Sequence, residues 1–120
     1  MSGKHFNMQK GADVMGGGPD GEMMHKMMLS KFGEEITSKR AALEAAMAAK
    51  DWPKMRSEFH SLKGSSSYVA ADIIHDLCQR GQFTIDKKEG DWEAEALKLA
   101  NEFIAISEEA LKELASIDFS

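Results

Sequence analysis

One cysteine and two prolines are all that the 120 residues hold of the two most restrictive residue types. A lone thiol cannot close an internal disulfide, and Cys78, set among Ile73, Ile74 and Leu77, reads as a small buried hydrophobe. Ile, Val and Thr never gather into alternating runs bounded by turns, so strand signals are almost absent. No stretch approaches the roughly 18 apolar residues of a membrane span. The start Met1-Ser2-Gly3-Lys4-His5 lacks the apolar core of a secretory signal, so a cytoplasmic location is expected, and this start favours a separate protein over an excised piece. Basic residues are outnumbered 15 to 20 by acidic ones, a net charge of −5, which argues against partners such as nucleic acid or an anionic membrane. A Walker-type phosphate loop and a kinase nucleotide-binding set are both missing, so the chain has no evident means of using ATP. His5, His25 and His75 lack the close spacing of a helical zinc pair, and no metal or cofactor is assigned. His75 reads as a surface or half-buried histidine and His25 as a polar break in a methionine-rich face.

What remains is helical. The length suits one domain with its own core, with residues 1–5 loose and 6–120 folded, and a monomer is the default. A short helix is expected over residues 6–15, ended by Gly16-Gly17-Gly18. Pro19 and Asp20 mark another start, and Met23, Met24, Met27, Met28 and Phe32 follow at helical spacing as a stripe that reads as core. Ile36, Leu43, Ala46 and Met47 describe a helix over 34–50, with Glu34-Glu35 complementing the dipole of its first turn. Asp51 is a plausible N-cap for the next helix, with Pro53 in the first turn. A bend after Ser67-Tyr68 precedes a helix over 70–83 built on Ile73, Ile74 and Leu77. Asp91 can then cap a long final helix whose apolar set is Leu97, Ala100, Phe103, Ile104, Leu111 and Leu114. Four such helices with short loops bury their stripes most simply as an all-α, antiparallel four-helix bundle, with short additional helices at the amino-terminal end.

The run Phe59-His60-Ser61-Leu62-Lys63-Gly64-Ser65-Ser66 carries the chemistry. On a helix with His60 at zero, Gly64 falls at about +40°, Lys63 at about −60° and Ser67 at about −20°, with Arg56 and Ser57 one turn earlier. Met55, Phe59, Leu62 and Ser66 gather nearly opposite, so the helix buries one face and shows His60 on the other. An exposed neutral imidazole is a usable nucleophile near neutral pH and needs no base to become one. Lys63 can set an ammonium against the oxygens of a transferring phosphoryl group. Gly64 costs roughly 1 kcal/mol of helix propensity relative to alanine, so a bare backbone there suggests close approach by a partner. Ser65 and Ser66 can bond back to the preceding turn. Spacing alone leaves a second reading open, in which His60 and Lys63 are ordinary surface residues and Gly64 only permits tight packing.

His60-x-x-Lys63-Gly64-Ser65-Ser66 resembles the signature of the histidine-containing phosphotransfer (Hpt) domain, the intermediate carrier of multistep phosphorelays. Asp51-Trp52, Leu77-Cys78, and Gly16-Gly17 followed by the methionines and Phe32 resemble further family features, so the likeness spans residues 6–117. Two positions depart from the pattern: Ala70 stands near a frequent glycine and Gln82 at a frequently acidic position. Neither is expected to touch the His60 face. The resemblance implies a helical bundle in which His60 takes a phosphoryl group from a receiver-domain aspartate and passes it to another receiver. The partners would be the receiver domains of a hybrid sensor kinase and of a response regulator, each bringing its own magnesium. Lys63 would steady the charge, Gly64 would admit the partner, and Arg56, Ser57, Ser67 and Tyr68 would line the docking surface. Phe59 and Leu62 would hold the motif helix to its neighbours. The alternative is a non-catalytic helical module that binds a receiver or other partner without phosphotransfer. A self-sufficient histidine-phosphorylating enzyme is disfavoured by the lack of a nucleotide motif.

Overall fold

A computed structural model describes residues 5–117, apart from the Tyr68 side chain. Five helices make up the described chain: α1 (Met8–Val14), α2 (Gly18–Ala49), α3 (Trp52–Tyr68), α4 (Asp72–Lys87) and α5 (Trp92–Ala115). Among the described residues there is no strand, and no helix is long and apolar enough to cross a membrane. The helix boundaries follow local chemistry. Asn7 and Asp51 accept from the backbone N–H groups of Lys10 and Lys54, three residues on, which satisfies first-turn donors that have no intrahelical partner. Asp91 also precedes its helix, but its ψ of 48° is less extended than the 84° of Asp51, and its carboxylate makes no cap bond. The expected cap at Asp91 is thus one of position only.

The four longer helices form the antiparallel bundle expected for an all-α chain of this pattern. α3 packs against α2 and α4, α5 packs against α4 and α2, and α1 lies on α2. Phe59, Phe103, Leu29, Ile36, Leu43, Met55, Leu62, Ile74 and Leu77 are fully buried at the centre. Trp52 and Trp92, at the starts of α3 and α5, meet edge to face at 5.1 Å between ring centroids.

Several expectations from the sequence are corrected. The helices expected on either side of residue 33 are one helix of 32 residues, since Gly33 keeps helical backbone and faces Leu114 of α5 closely. At 1.5 Å per residue this helix is about 48 Å long, which accounts for the molecule's longest dimension of 47 Å. Glu34 and Glu35 therefore lie in mid-helix, not in a first turn. The methionine stripe is core only in part: Met23, Met24 and Met27 are exposed, Met28 packs half-buried against the core, and the buried face of this half of α2 is Gly21, His25, Leu29, Phe32 and Ile36. The four methionines share one sector of about 140°, and only its Met28 edge borders the covered side. His25 is accordingly a buried residue whose ring nitrogen Nε2 donates to the Val69 carbonyl at 2.8 Å. Residues 1–4 lie outside the described part, but His5, expected in a loose start, is buried, and its backbone N–H donates to the Glu113 carboxylate. Ile73 lies on the exposed side of α4, whose core face is Ile74, Leu77, Cys78, Gly81 and Ile85. On α5 the buried face includes Ala96, Leu99 and Ser107, so Leu97, Ile104 and Leu111 flank the core instead of centring it. Burial pushes the Cys78 thiol up to about 12, so it stays protonated and unreactive.

Two features govern stability near the motif helix. A Cβ on Gly81 of α4 would lie 2.7 Å from the Phe59 ring, so only glycine lets α3 and α4 approach this closely. Gly81→Ala is expected to destabilise the fold by about 1–3 kcal/mol through overpacking, as measured by urea denaturation. The second feature is Glu58, a buried carboxylate held by Lys39 of α2 at 3.0 Å and Lys54 of α3 at 3.1 Å. Burial pushes its pKa up, but the hydrogen bonds and charges of Lys39 and Lys54 outweigh it, leaving it below the ordinary 4.5. Its stabilisation is therefore complete above that ordinary value and is lost as pH falls through the lower folded pKa. Glu58→Gln should cost about 2 kcal/mol at neutral pH. The cost should shrink when denaturation is repeated in acid below the ordinary value of 4.5.

Candidate functional site

The exposed face of α3 holds the residues singled out from the sequence. His60, Gly64, Ser57 and Ser67 are exposed, Lys63 and Arg56 are half-buried, and Met55, Phe59, Leu62 and Ser66 are buried on the opposite side. Both faces of α3 therefore lie where the helical period puts them. Among the described residues nothing lies within 4 Å of where a Gly64 side chain would stand, so no described contact requires glycine there. Tyr68 was expected to join the docking surface, but its side chain lies outside the described residues.

The face is fastened to α2 on one side and α4 on the other. The Ser65 hydroxyl donates to the Glu35 carboxylate at 2.8 Å and also lies 3.2 Å from the Ser61 carbonyl of its own helix. The Ser66 hydroxyl donates back to the Lys63 carbonyl at 3.1 Å, three residues earlier. That same carbonyl accepts from Nδ1 of the half-buried His75 at 2.9 Å. Two donors thus hold the backbone at Lys63, while its ammonium forms no ion pair among the described residues.

His60 itself is not isolated. Its Nδ1 lies 3.1 Å from Oε1 of Gln82 on α4, so Gln82 does touch the His60 face, against the expectation from sequence. Arg56 reaches across to Asp86, with Nε 2.7 Å from Oδ1. The Arg56 guanidinium holds the Asp86 carboxyl below its ordinary pKa of 3.8, despite slight burial, and the Gln82 amide and the His60 ring act in the same direction. The line Arg56, Asp86, Gln82, His60 therefore runs along the seam between α3 and α4. With the Gln82 oxygen as acceptor, His60 carries its proton on Nδ1 and keeps a free lone pair on Nε2. Asp86 went unnoticed in the sequence, and His75 and Glu35 were read there without any link to the motif face. A signal existed for Asp86, since Gln82 and Asp86 are spaced i, i+4 and share a helix face, but placing them against His60 required the register of α3 on α4.

Among the described residues no three of His, Cys, Asp and Glu form a group that could hold a metal. A shallow cleft of about 330 Å³ lies elsewhere, between the end of α4 and the start of α5, lined by residues that include Phe83, Lys87 and Trp92.

Compared with known protein families, the chain matches the Hpt domain over residues 27–116. A helical phosphotransfer module of phosphorelays is the class that this fold and match define, and the chain belongs to the Hpt domain family. Domains of this family interact with receiver domains. Comparison with curated proteins and with solved structures gave no match.

The open space at Gly64 carries its own expectation. Gly64→Ala should raise the melting temperature, because it adds about 1 kcal/mol of helix propensity and meets no neighbour. A drop in melting temperature would mean that glycine is needed by the fold and not by a partner.

Proposed function

We propose that this protein accepts a phosphoryl group on His60 from a receiver-domain aspartate and passes it to a second receiver domain. The observation that carries the reading is the exposed imidazole with its Nδ1 held by Gln82, which leaves Nε2 directed away from that bond as the nucleophile. The Nε2 lone pair attacks the phosphorus of the aspartyl phosphate in line. An N–P bond forms as the P–O bond to the aspartyl oxygen breaks, the carboxylate departs with the electron pair, and Nδ1 keeps its proton. The return step, onto the next aspartate, is the same exchange in reverse. Lys63, half-buried at the edge of the face, supplies positive charge to the equatorial oxygens. Gly64 admits the partner's loops, and Ser57, Ser67, Tyr68 and the outer edge of Arg56 border the docking area.

In this reading residues 6–120 act as one domain, a cytoplasmic monomer without ATP-dependent activity. The partners are the receiver domains of a hybrid sensor kinase and a response regulator, and the magnesium that phosphoryl transfer between carboxylate and imidazole requires is theirs. Support comes from the family match together with the signature His60-x-x-Lys63-Gly64-Ser65-Ser66 lying inside it.

Incubation with a phosphorylated receiver domain tests the assignment. The parent protein should take up label that is lost in acid and kept in base, as a phosphoramidate behaves, and His60→Gln should take up none. Equal labelling of His60→Gln would remove His60 from the reaction.

A further inference from the structure

Gln82 could meet His60 with either end of its amide, and the two choices have opposite consequences. An oxygen facing the ring keeps the proton on Nδ1. An NH₂ facing the ring calls for an unprotonated Nδ1, which moves the proton to Nε2 and removes the nucleophilic lone pair. The residue that decides between them is one turn further along α4. Asp86, at i+4 on the same face of α4 and fixed by Arg56, is a carboxylate that only accepts hydrogen bonds, so of the two amide ends the NH₂ is the one that suits the Asp86 side of the seam. The oxygen is then left for His60, 3.1 Å away. Arg56 of α3 holds the carboxylate in place through its Nε at 2.7 Å and through NH2 at 3.5 Å from the second oxygen.

We propose that Asp86, clamped by Arg56, is a positioning residue that sets the orientation of the Gln82 amide and thereby the tautomer of His60. This deepens the phosphotransfer reading and rests on it for its functional consequence. The arrangement also supplies electrostatics. As Nε2 bonds to phosphorus and Nδ1 keeps its proton, the ring gains positive charge, which the Asp86 carboxylate on the same seam attracts. Arg56 consequently has a task inside the chain, beside any contact with a partner.

Asp86→Asn removes the charge while keeping the shape. Its own amide can then accept from or donate to Gln82, so the Gln82 amide loses its reason to stay in one orientation. The full chain is labelled with ¹⁵N and the His60 ring nitrogens are read by NMR above their titration range. Phosphorylation by the small donor phosphoramidate is timed in parallel. Asp76→Asn, which takes one charge from the same helix at the Arg80 pair, is the control. The parent and Asp76→Asn should show the Nδ1–H tautomer alone, and Asp86→Asn should show both tautomers and phosphorylate about tenfold more slowly. A pure Nδ1–H tautomer in Asp86→Asn would overturn the proposal, whatever the rate. If the parent itself took no phosphate from phosphoramidate or from a receiver, the phosphotransfer reading would fail, while the tautomer measurement would still decide whether Asp86 positions Gln82.

Discussion

The close passage of α3 over α4 at Phe59 and Gly81 underlies the rest of the site. The Phe59 ring fills the space a side chain on Gly81 would need, and this sets how far apart the two helices stand and how they are aligned along their length. The next residue on each helix completes a second pair, His60 with Gln82. Farther along the antiparallel pair, in opposite directions, Arg56 meets Asp86 one turn away and the Lys63 carbonyl meets His75, which lies about two turns from Gln82 on α4. A buried apolar contact thus fixes the register of a surface polar seam. Polar contacts at exposed positions are individually weak, so the geometry of this seam depends on the packing beneath it and not the reverse.

Much of this was legible from residue spacing. The face of α3 that shows His60 follows from periodicity alone, because the stripe Met55, Phe59, Leu62, Ser66 leaves a single side for the imidazole. The cap at Asp51 and the break after Tyr68 likewise have local causes. What could not be read was anything that joins positions distant in sequence. Gln82 stood out only as a departure from a pattern, since its link to His60 depends on a register that no local signal encodes. The methionines of α2 misled for a related reason. Methionine is adaptable enough to be core or surface, and the covered side is set by the placement of α1 and the joint between α3 and α4, where His25 donates to Val69.

Ala70, flagged as standing near a frequent glycine, sits in that joint with a φ of 57°. This is the left-handed region that an alanine occupies at a cost of about 1 kcal/mol or more. The surroundings hold it there. Its methyl group is buried, the Asn7 N–H donates to its carbonyl at 3.2 Å, and the Ala71 N–H bonds back to Ser66 at 3.0 Å. The amino-terminal segment before the matched region therefore helps to secure the end of the helix that presents His60.

The continuity of α2 has a consequence for how the molecule breathes. Its second half is walled in by α3 and α5, whereas its first half runs beside the short α1 and turns Met23, Met24 and Met27 to solvent. One uninterrupted helix thus passes through two regimes of opening. Amides around Leu43 exchange with solvent only when the bundle comes apart, while those around Met23 are released by detachment of α1 and fraying from Gly18, events that leave the rest of the chain folded.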